Sequence, residues 1–164
     1  MADLGCGDAA LARALVPQGL SVLSFDLVAD GAFVVEADTC AHVPLPGSEP
    51  AAADGAGAGE GQVVDVVVCA LSLMGTNWPG CIREAWRILR AQCVRFYFST
   101  SVRCALTAAR LCRGELKIAE VTSRFADVEE FVSFVSAFGF KLTSKVRPRS
   151  FSLLLWKGIH PDHV

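Results

Sequence analysis

Glycines and carboxylates occur in this chain at spacings that suit a nucleoside-binding site. An Asp-x-Gly-x-Gly turn stands at residues 3–7, and Asp26 and Asp38 each follow a short apolar run. In an open α/β sheet, glycines let the first strand-to-helix turn approach a ligand closely. A carboxylate about 20 residues further on accepts hydrogen bonds from ribose hydroxyls. We therefore expect Gly5 in the turn, Asp26 at a ribose, and Asp38, one strand further, at an adenine edge.

The glycine pattern also limits the kind of nucleoside. A dinucleotide fingerprint carries three glycines around its pyrophosphate, whereas this turn has two, Gly5 and Gly7. The cradle for a pyrophosphate is therefore incomplete. The pattern favours a nucleoside without phosphates, and S-adenosylmethionine fits that description.

Apolar runs alternate with helical patterns, which predicts repeated β–α units and a mostly parallel sheet in an α/β fold. The predicted strands are residues 1–4, 21–25, 33–37, 63–70 and 116–121, and the predicted helices are 8–16, 78–90 and 127–138. Residues 140–145 and 151–157 are predicted to form an antiparallel pair at the sheet edge. A reversed strand there distinguishes a methyltransferase sheet from a dehydrogenase sheet.

Two segments interrupt this rhythm within a predicted single domain of residues 1–164. Residues 46–62 are rich in Gly, Ala, Pro and acidic residues, which predicts a flexible loop. Residues 91–113 lack acidic residues and carry four arginines. Three interpretations of this second segment remain open: a basic surface insertion that contacts RNA, a helix that extends its neighbour, or a translated non-coding stretch.

Composition narrows the classes of function. The chain has 164 residues, a hydrophobic content of 52% and a net charge of −2 at pH 7. It can therefore form a full core, and it lacks the basic excess of a strong stand-alone nucleic-acid-binding domain. Its seven cysteines show no C-x-x-C spacing, which argues against a metal site. The longest apolar run, residues 63–75, is too short for a membrane span, so we expect a soluble, intracellular protein.

Two runs are specific enough to suggest a family: Leu-Ser-Leu-Met-Gly-Thr-Asn at residues 71–77 and Glu-Val-Thr-Ser-Arg-Phe at residues 120–125. Together with residues 3–8, 24–27 and 41–45, they closely resemble the ribosomal RNA-processing protein 8 family, called nucleomethylin in animals. The resemblance covers nearly the whole chain outside the two interrupting segments.

This resemblance implies a Rossmann-like, seven-stranded methyltransferase of the nucleus and nucleolus. It implies that S-adenosylmethionine is used to methylate N1 of an adenosine in large-subunit ribosomal RNA. By position, the resemblance implies cofactor contacts at Gly5, Asp26, Asp38, Thr39 and Cys69. The family pattern after Asp38 is shorter by one residue than the sequence here, so Cys40 is an alternative to Thr39.

Two further residues are candidates for binding the substrate, and no catalytic residue is assigned. Adenine N1 carries a lone pair and no proton, so its attack on a methyl group needs no general base, and none is evident. We expect Asn77 to hydrogen-bond the target base, with a cap of the following helix as the alternative. We expect Arg124 to contact an RNA phosphate, with an ion pair to Asp127 or Glu120 as the alternative.

Other functions stay open at this point. One is a non-catalytic S-adenosylmethionine-binding module in a complex with nucleolar or chromatin proteins, and another is a small-molecule methyltransferase. Relative to the family, the chain begins at the end of the first strand, and a preceding segment that adds a cofactor contact is expected to be missing. The sequence is therefore interpreted as N-terminally truncated, and weak cofactor binding or poor folding is predicted for it.

Overall fold

A seven-stranded sheet is the centre of the fold. The computed structural model describes residues 1–29, 31–45, 63–93, 111–121, 123, 127–146 and 151–158. The strands are β1 (Ala2–Leu4), β2 (Leu23–Asp26), β3 (Val34–Glu36), β4 (Val66–Ala70), β5 (Ala91–Cys93), β6 (Leu111–Arg113), β7 (Glu115–Val121), β8 (Phe140–Val146) and β9 (Phe151–Gly158). The helices are α1 (Ala10–Leu15), α2 (Trp78–Ile88) and α3 (Val128–Ala137), and a short 3-10 turn follows α1 at Val16–Gln18.

The strand order in the large sheet is β3-β2-β1-β4-β7-β9-β8. The first five of these strands are mutually parallel, whereas β9 is antiparallel to both β7 and β8. The prediction of a mostly parallel, Rossmann-like seven-stranded sheet with an antiparallel pair at its edge is therefore confirmed. Within that pair, β9 is the reversed strand and lies inside β8.

Helices pack on both faces of the sheet. Phe25 belongs to the main core together with buried residues of α2 and α3, such as Ile82 and Phe131. On the opposite face, Val34 packs with Ala12 of α1 in a second, smaller cluster. Side chains of neighbouring strand residues alternate between the two faces, so α1 lies on one side and the α2–α3 layer on the other. No described helix is both long and apolar enough to cross a membrane.

Local backbone conformation explains why two helices are shorter than predicted. The first helix begins at Ala10 rather than residue 8, because Gly7 and Ala9 have left-handed φ angles of 54° and 56° that a right-handed helix cannot include. The second ends at Ile88 rather than residue 90. Its Ile88 carbonyl accepts hydrogen bonds from the N–H groups of residues 63 and 64, which lead into β4.

The two ends of the 91–113 segment form a strand pair, β5 with β6. The interpretation of this segment as a continuation of α2 is therefore wrong at its start, because α2 has ended and β5 has begun. Residues 94–110 lie outside the described residues, as do residues 46–62, for which a flexible loop was predicted.

Candidate functional site

A cavity of about 320 Å³ opens at the carboxyl ends of the parallel strands. Its walls come from the segments that follow β1, β2, β3 and β4. They consist of Gly5, Asp26, Leu27, Asp38, Thr39, Cys40, Leu71, Ser72, Met74, Gly75 and Asn77. Open α/β sheets bind ligands at this edge, where the strand order reverses, and here the reversal lies between β1 and β4. The structure thus brings together five of the residues predicted from the sequence: Gly5, Asp26, Asp38, Thr39 and Asn77.

Gly5 sits where two loops approach each other closely. Its N–H and that of Cys6 donate hydrogen bonds to the Phe25 carbonyl, at 2.8 and 3.1 Å. The φ angle of Gly5 is 74°, and a Cβ added at this position would lie 2.3 Å from the Cβ of Ser72. Glycine is therefore required both for the left-handed turn and for the contact between the β1 and β4 loops.

Asp26 and the glycine turn hold each other in place. The N–H of Gly7 donates a hydrogen bond of 2.8 Å to a carboxylate oxygen of Asp26. A carboxylate has several lone-pair positions, so Asp26 can also accept hydrogen bonds from a ligand in the cavity. The position agrees with the predicted role of Asp26 as an acceptor for ribose hydroxyls.

Asp38 starts a tight turn at the rim of the cavity. Its side-chain oxygen accepts a hydrogen bond from the Cys40 N–H at 2.9 Å, and its carbonyl accepts from the N–H groups of Ala41 and His42, each at 3.0 Å. Helix α2 buttresses this turn at Gly80, where an added Cβ would lie 2.1 Å from the Cys40 carbonyl oxygen. The close packing of Gly80 against this turn was not predicted from the sequence.

The side chain of Cys69 does not line the cavity. Its side chain is fully buried in the core, and its Sγ is 3.8 Å from the Sγ of Cys81 in α2. The structure does not bring this side chain to the cavity. A cofactor contact at Cys69 stays a prediction, and it would have to be made by the backbone that leads from β4 towards Leu71.

The two predicted substrate residues have different outcomes. Asn77 precedes α2, but its side chain makes no capping hydrogen bond, and it lines the cavity instead. Arg124 lies outside the described residues, so its role stays a prediction. Both of its alternative partners accept hydrogen bonds from backbone groups: Asp127 from the Glu129 N–H at 2.7 Å, and Glu120 from the Leu73 N–H at 2.9 Å.

Several lining residues were not singled out from the sequence. Leu27, Leu71 and Met74 are large apolar side chains that are about half exposed or more. Leu71 also has a left-handed φ of 57°, which is rare for a residue with a side chain. The unusual run at residues 71–77 was the feature of the sequence that could have identified Leu71 and Met74, since this run supplies five of the lining residues.

The charge of the cavity favours a cationic ligand. Among the described lining residues, Asp26 and Asp38 carry negative charge and none is basic. Cys6, in the glycine turn, is unsuited to act as a nucleophile, because burial and the charges of Asp3 and Asp26 raise the pKa of its thiol to about 11. Among the described residues, no three His, Cys, Asp or Glu side chains are grouped so as to hold a metal ion.

The buried carboxyl group of Asp3 makes the stability of the fold depend on pH. It is only 4% exposed, and burial, followed by the negative charge of Asp26, raises the pKa of Asp3 from 3.8 to about 6. The folded state therefore binds this proton more tightly than the unfolded state. The resulting contribution to stability is complete below about pH 4 and is lost as the pH rises through about 6.

We therefore expect Asp3→Asn to gain stability relative to the wild type as the pH rises. Between pH 4 and pH 7 the difference in the free energy of unfolding should shift by about 1–3 kcal/mol in favour of the variant. Urea unfolding of both proteins across this range measures the shift. Parallel pH profiles for the two proteins would contradict the assignment.

The seven-stranded sheet with one reversed strand, and the glycine turn facing two carboxylates, define the class of a Rossmann-like methyltransferase. The family model Methyltransf_8, described as a hypothetical methyltransferase, matches residues 1–111. The chain belongs to this family. The family and the fold support S-adenosylmethionine as the cofactor.

Two curated relatives confirm the resemblance seen in the sequence. The chain is 35% identical to the 25S rRNA (adenine(645)-N(1))-methyltransferase of Schizosaccharomyces pombe over 99% of its own length and 41% of the relative. It is 36% identical to the ribosomal RNA-processing protein 8 of Caenorhabditis briggsae over 87% of its own length and 32% of the relative. The chain thus spans less than half of the length of these relatives.

A solved structure confirms the fold. The TehB-like SAM-dependent methyltransferase of Corynebacterium glutamicum superposes with a TM-score of 0.62 over 96% of this chain and 78% of that one, at 16% sequence identity.

Proposed function

We propose that this chain is the methyltransferase domain of an enzyme that methylates N1 of an adenosine in large-subunit ribosomal RNA. The observation that carries the proposal is the convergence of Gly5, Asp26, Asp38 and the 71–77 loop on one cavity. The relative from Schizosaccharomyces pombe, whose name gives this reaction, supports the choice of substrate. Such an enzyme acts in ribosome biogenesis, and we place it in the nucleolus.

The described residues suit S-adenosylmethionine. When bound, this cofactor supplies a methyl group on a positively charged sulfur. Asp26 would accept hydrogen bonds from the ribose hydroxyls, the turn at Asp38 and Thr39 would contact the adenine edge, and Gly5 would leave room for the methionine end. The two carboxylates favour a cation, and none of the described lining residues is basic, as a phosphate-binding site would require.

The 71–77 loop would form the side of the cavity that receives the target base. Apolar surface from Leu71 and Met74 would exclude water from the reacting groups, and Asn77 can donate and accept hydrogen bonds. N1 needs no general base for attack, so the protein acts by holding the base in line. Because N1 lies on the pairing edge, the adenosine must be unpaired or flipped out of its helix.

Methyl transfer to RNA tests this function. The protein is incubated with S-adenosylmethionine carrying a tritiated methyl group and with large-subunit ribosomal RNA from cells that lack the mark. We expect incorporation into the RNA, and mass spectrometry of the nucleosides should show 1-methyladenosine. Cofactor binding without incorporation into any ribosomal RNA would reject the proposal in favour of a non-catalytic module in a nucleolar or chromatin complex.

A change at Asn77 separates base binding from cofactor binding. We expect Asn77→Ala to lower kcat/KM for the RNA about 5- to 100-fold, the range for losing a hydrogen bond to a bound ligand. The affinity for S-adenosylmethionine, measured by calorimetry, should stay within about twofold. Thr76→Ala is the control, because Thr76 is exposed but does not line the cavity. Equal kinetics for the wild type and Asn77→Ala would contradict a role in base binding.

A further inference from the structure

Ser72 carries a polar group without an obvious structural purpose. The residue lines the cavity, and its hydroxyl oxygen is buried with no hydrogen-bond partner among the described residues. Buried polar groups in native proteins are nearly always hydrogen-bonded, so such a hydroxyl needs an explanation. A ligand in the cavity would be a partner that is present only in the bound state.

The backbone on both sides of Ser72 is fixed to strand β7. The Leu71 N–H donates a hydrogen bond of 2.9 Å to the Ala119 carbonyl. The Leu73 N–H donates one of 2.9 Å to the carboxylate of Glu120, which is fully buried. These two bonds hold Leu71 in its left-handed conformation, and residues kept in such conformations by their surroundings cluster at ligand sites. The backbone at Ser72 is therefore held in place before any ligand binds, in part by the carboxylate of Glu120.

The order of the strands indicates which part of the cofactor Ser72 would meet. Across the sheet edge lie Asp38 after β3, Asp26 at the end of β2, Gly5 after β1 and Ser72 after β4. Neighbouring strands are about 4.8 Å apart, so this row spans about 14 Å. With the adenine at Asp38 and the ribose at Asp26, the remaining part of the ligand extends past Gly5 towards Ser72.

We infer that Ser72 is a further cofactor-binding residue, whose hydroxyl hydrogen-bonds the amino-acid end of S-adenosylmethionine. This inference rests on the cofactor named in the proposed function. A hydroxyl can donate to the carboxylate or accept from the ammonium group at that end. Rotation about the Cα–Cβ bond of Ser72, which has three staggered positions, lets the hydroxyl turn to either group.

Calorimetry with three ligands tests the inference. They are S-adenosylmethionine, S-adenosylhomocysteine and methylthioadenosine, and the last has the nucleoside but lacks the amino-acid end. We expect Ser72→Ala to weaken binding of the first two about 5- to 50-fold, the range for a hydrogen bond to a charged group, and to leave methylthioadenosine within about twofold.

Ser24→Ala is a matched control. Ser24 also has a buried hydroxyl without a partner among the described residues, but it does not line the cavity. Ser24→Ala should bind all three ligands with affinities within about twofold of the wild-type values. Without ligand, both variants should unfold at or above the wild-type temperature, because each loses a polar group that the folded protein leaves unsatisfied.

Three results would overturn the inference. Unchanged affinity of Ser72→Ala for S-adenosylhomocysteine is the first, and equal losses for all three ligands, methylthioadenosine included, are the second. The third is a clear drop in the unfolding temperature of ligand-free Ser72→Ala, which would show a structural role. The calorimetry contains no RNA. Its result therefore does not depend on whether the protein methylates ribosomal RNA. Wild-type protein that binds none of the three ligands would contradict the cofactor itself as well as the inference.

Discussion

Replacing Asp26 with asparagine is expected to weaken the binding of S-adenosylmethionine about 10- to 100-fold. Hydrogen bonds to an ionised carboxylate are roughly twice as strong as those between neutral groups, and the variant removes the charge that favours a cationic ligand. The same carboxylate also receives the Gly7 N–H at 2.8 Å, so the glycine turn loses a strong anchor. Calorimetric titration of both proteins with S-adenosylmethionine measures the loss.

Glu36→Gln is the control for the change in net charge. Glu36 ends β3, the strand next to β2, and is exposed, yet it does not line the cavity. We expect this variant to bind S-adenosylmethionine as the wild type does. If the two variants lose affinity equally, the effect is one of overall charge, and the assignment of Asp26 to the ribose is wrong.

Gly5→Ala is expected to destabilise the fold by about 2–4 kcal/mol. A side chain in the left-handed conformation of Gly5 costs about 1 kcal/mol, and the overlap of the new Cβ with the Cβ of Ser72, at 2.3 Å, adds about 1–3 kcal/mol. For a protein of this size the unfolding temperature should fall by roughly 5–15 °C, and calorimetry should also show a loss of cofactor affinity.

Gly7→Ala isolates the contribution of that overlap. Gly7 has a similar φ of 54°, but nothing lies within 4 Å of an added Cβ. It should therefore cost only about 1 kcal/mol. Equal destabilisation by the two variants would show that the close contact between Gly5 and Ser72 is absent in solution.

Local patterns predicted most of the fold. Continuous apolar runs, such as the one that contains Val66–Ala70, predict strands in the interior of a parallel sheet, and β4 lies between β1 and β7. The turn after β1 and the carboxylates near the ends of the next two strands line one cavity, because parallel strands bring their carboxyl ends to one edge. Gly5, Asp26 and Asp38 could thus be assigned to one cavity from their positions along the chain.

Features that depend on packing between distant segments could not be predicted. The side chain of Cys69 points into the core towards Cys81, since alternation along β4 decides its face and the sequence run does not reveal that register. The left-handed conformation of Leu71 depends on hydrogen bonds between its loop and β7. That strand begins more than forty residues later in the chain. The cofactor contact inferred for Ser72 depends on those same hydrogen bonds.

A crystal structure of the complex with S-adenosylhomocysteine would test whether Gly5, Asp26 and Asp38 together bind the cofactor in one cavity. We predict that the ligand fills the cavity, with its ribose hydroxyls within hydrogen-bonding distance of the Asp26 carboxylate and its adenine beside the turn at Asp38. A ligand bound elsewhere, or an Asp26 side chain that faces away from the ribose, would show that these residues do not form the cofactor site.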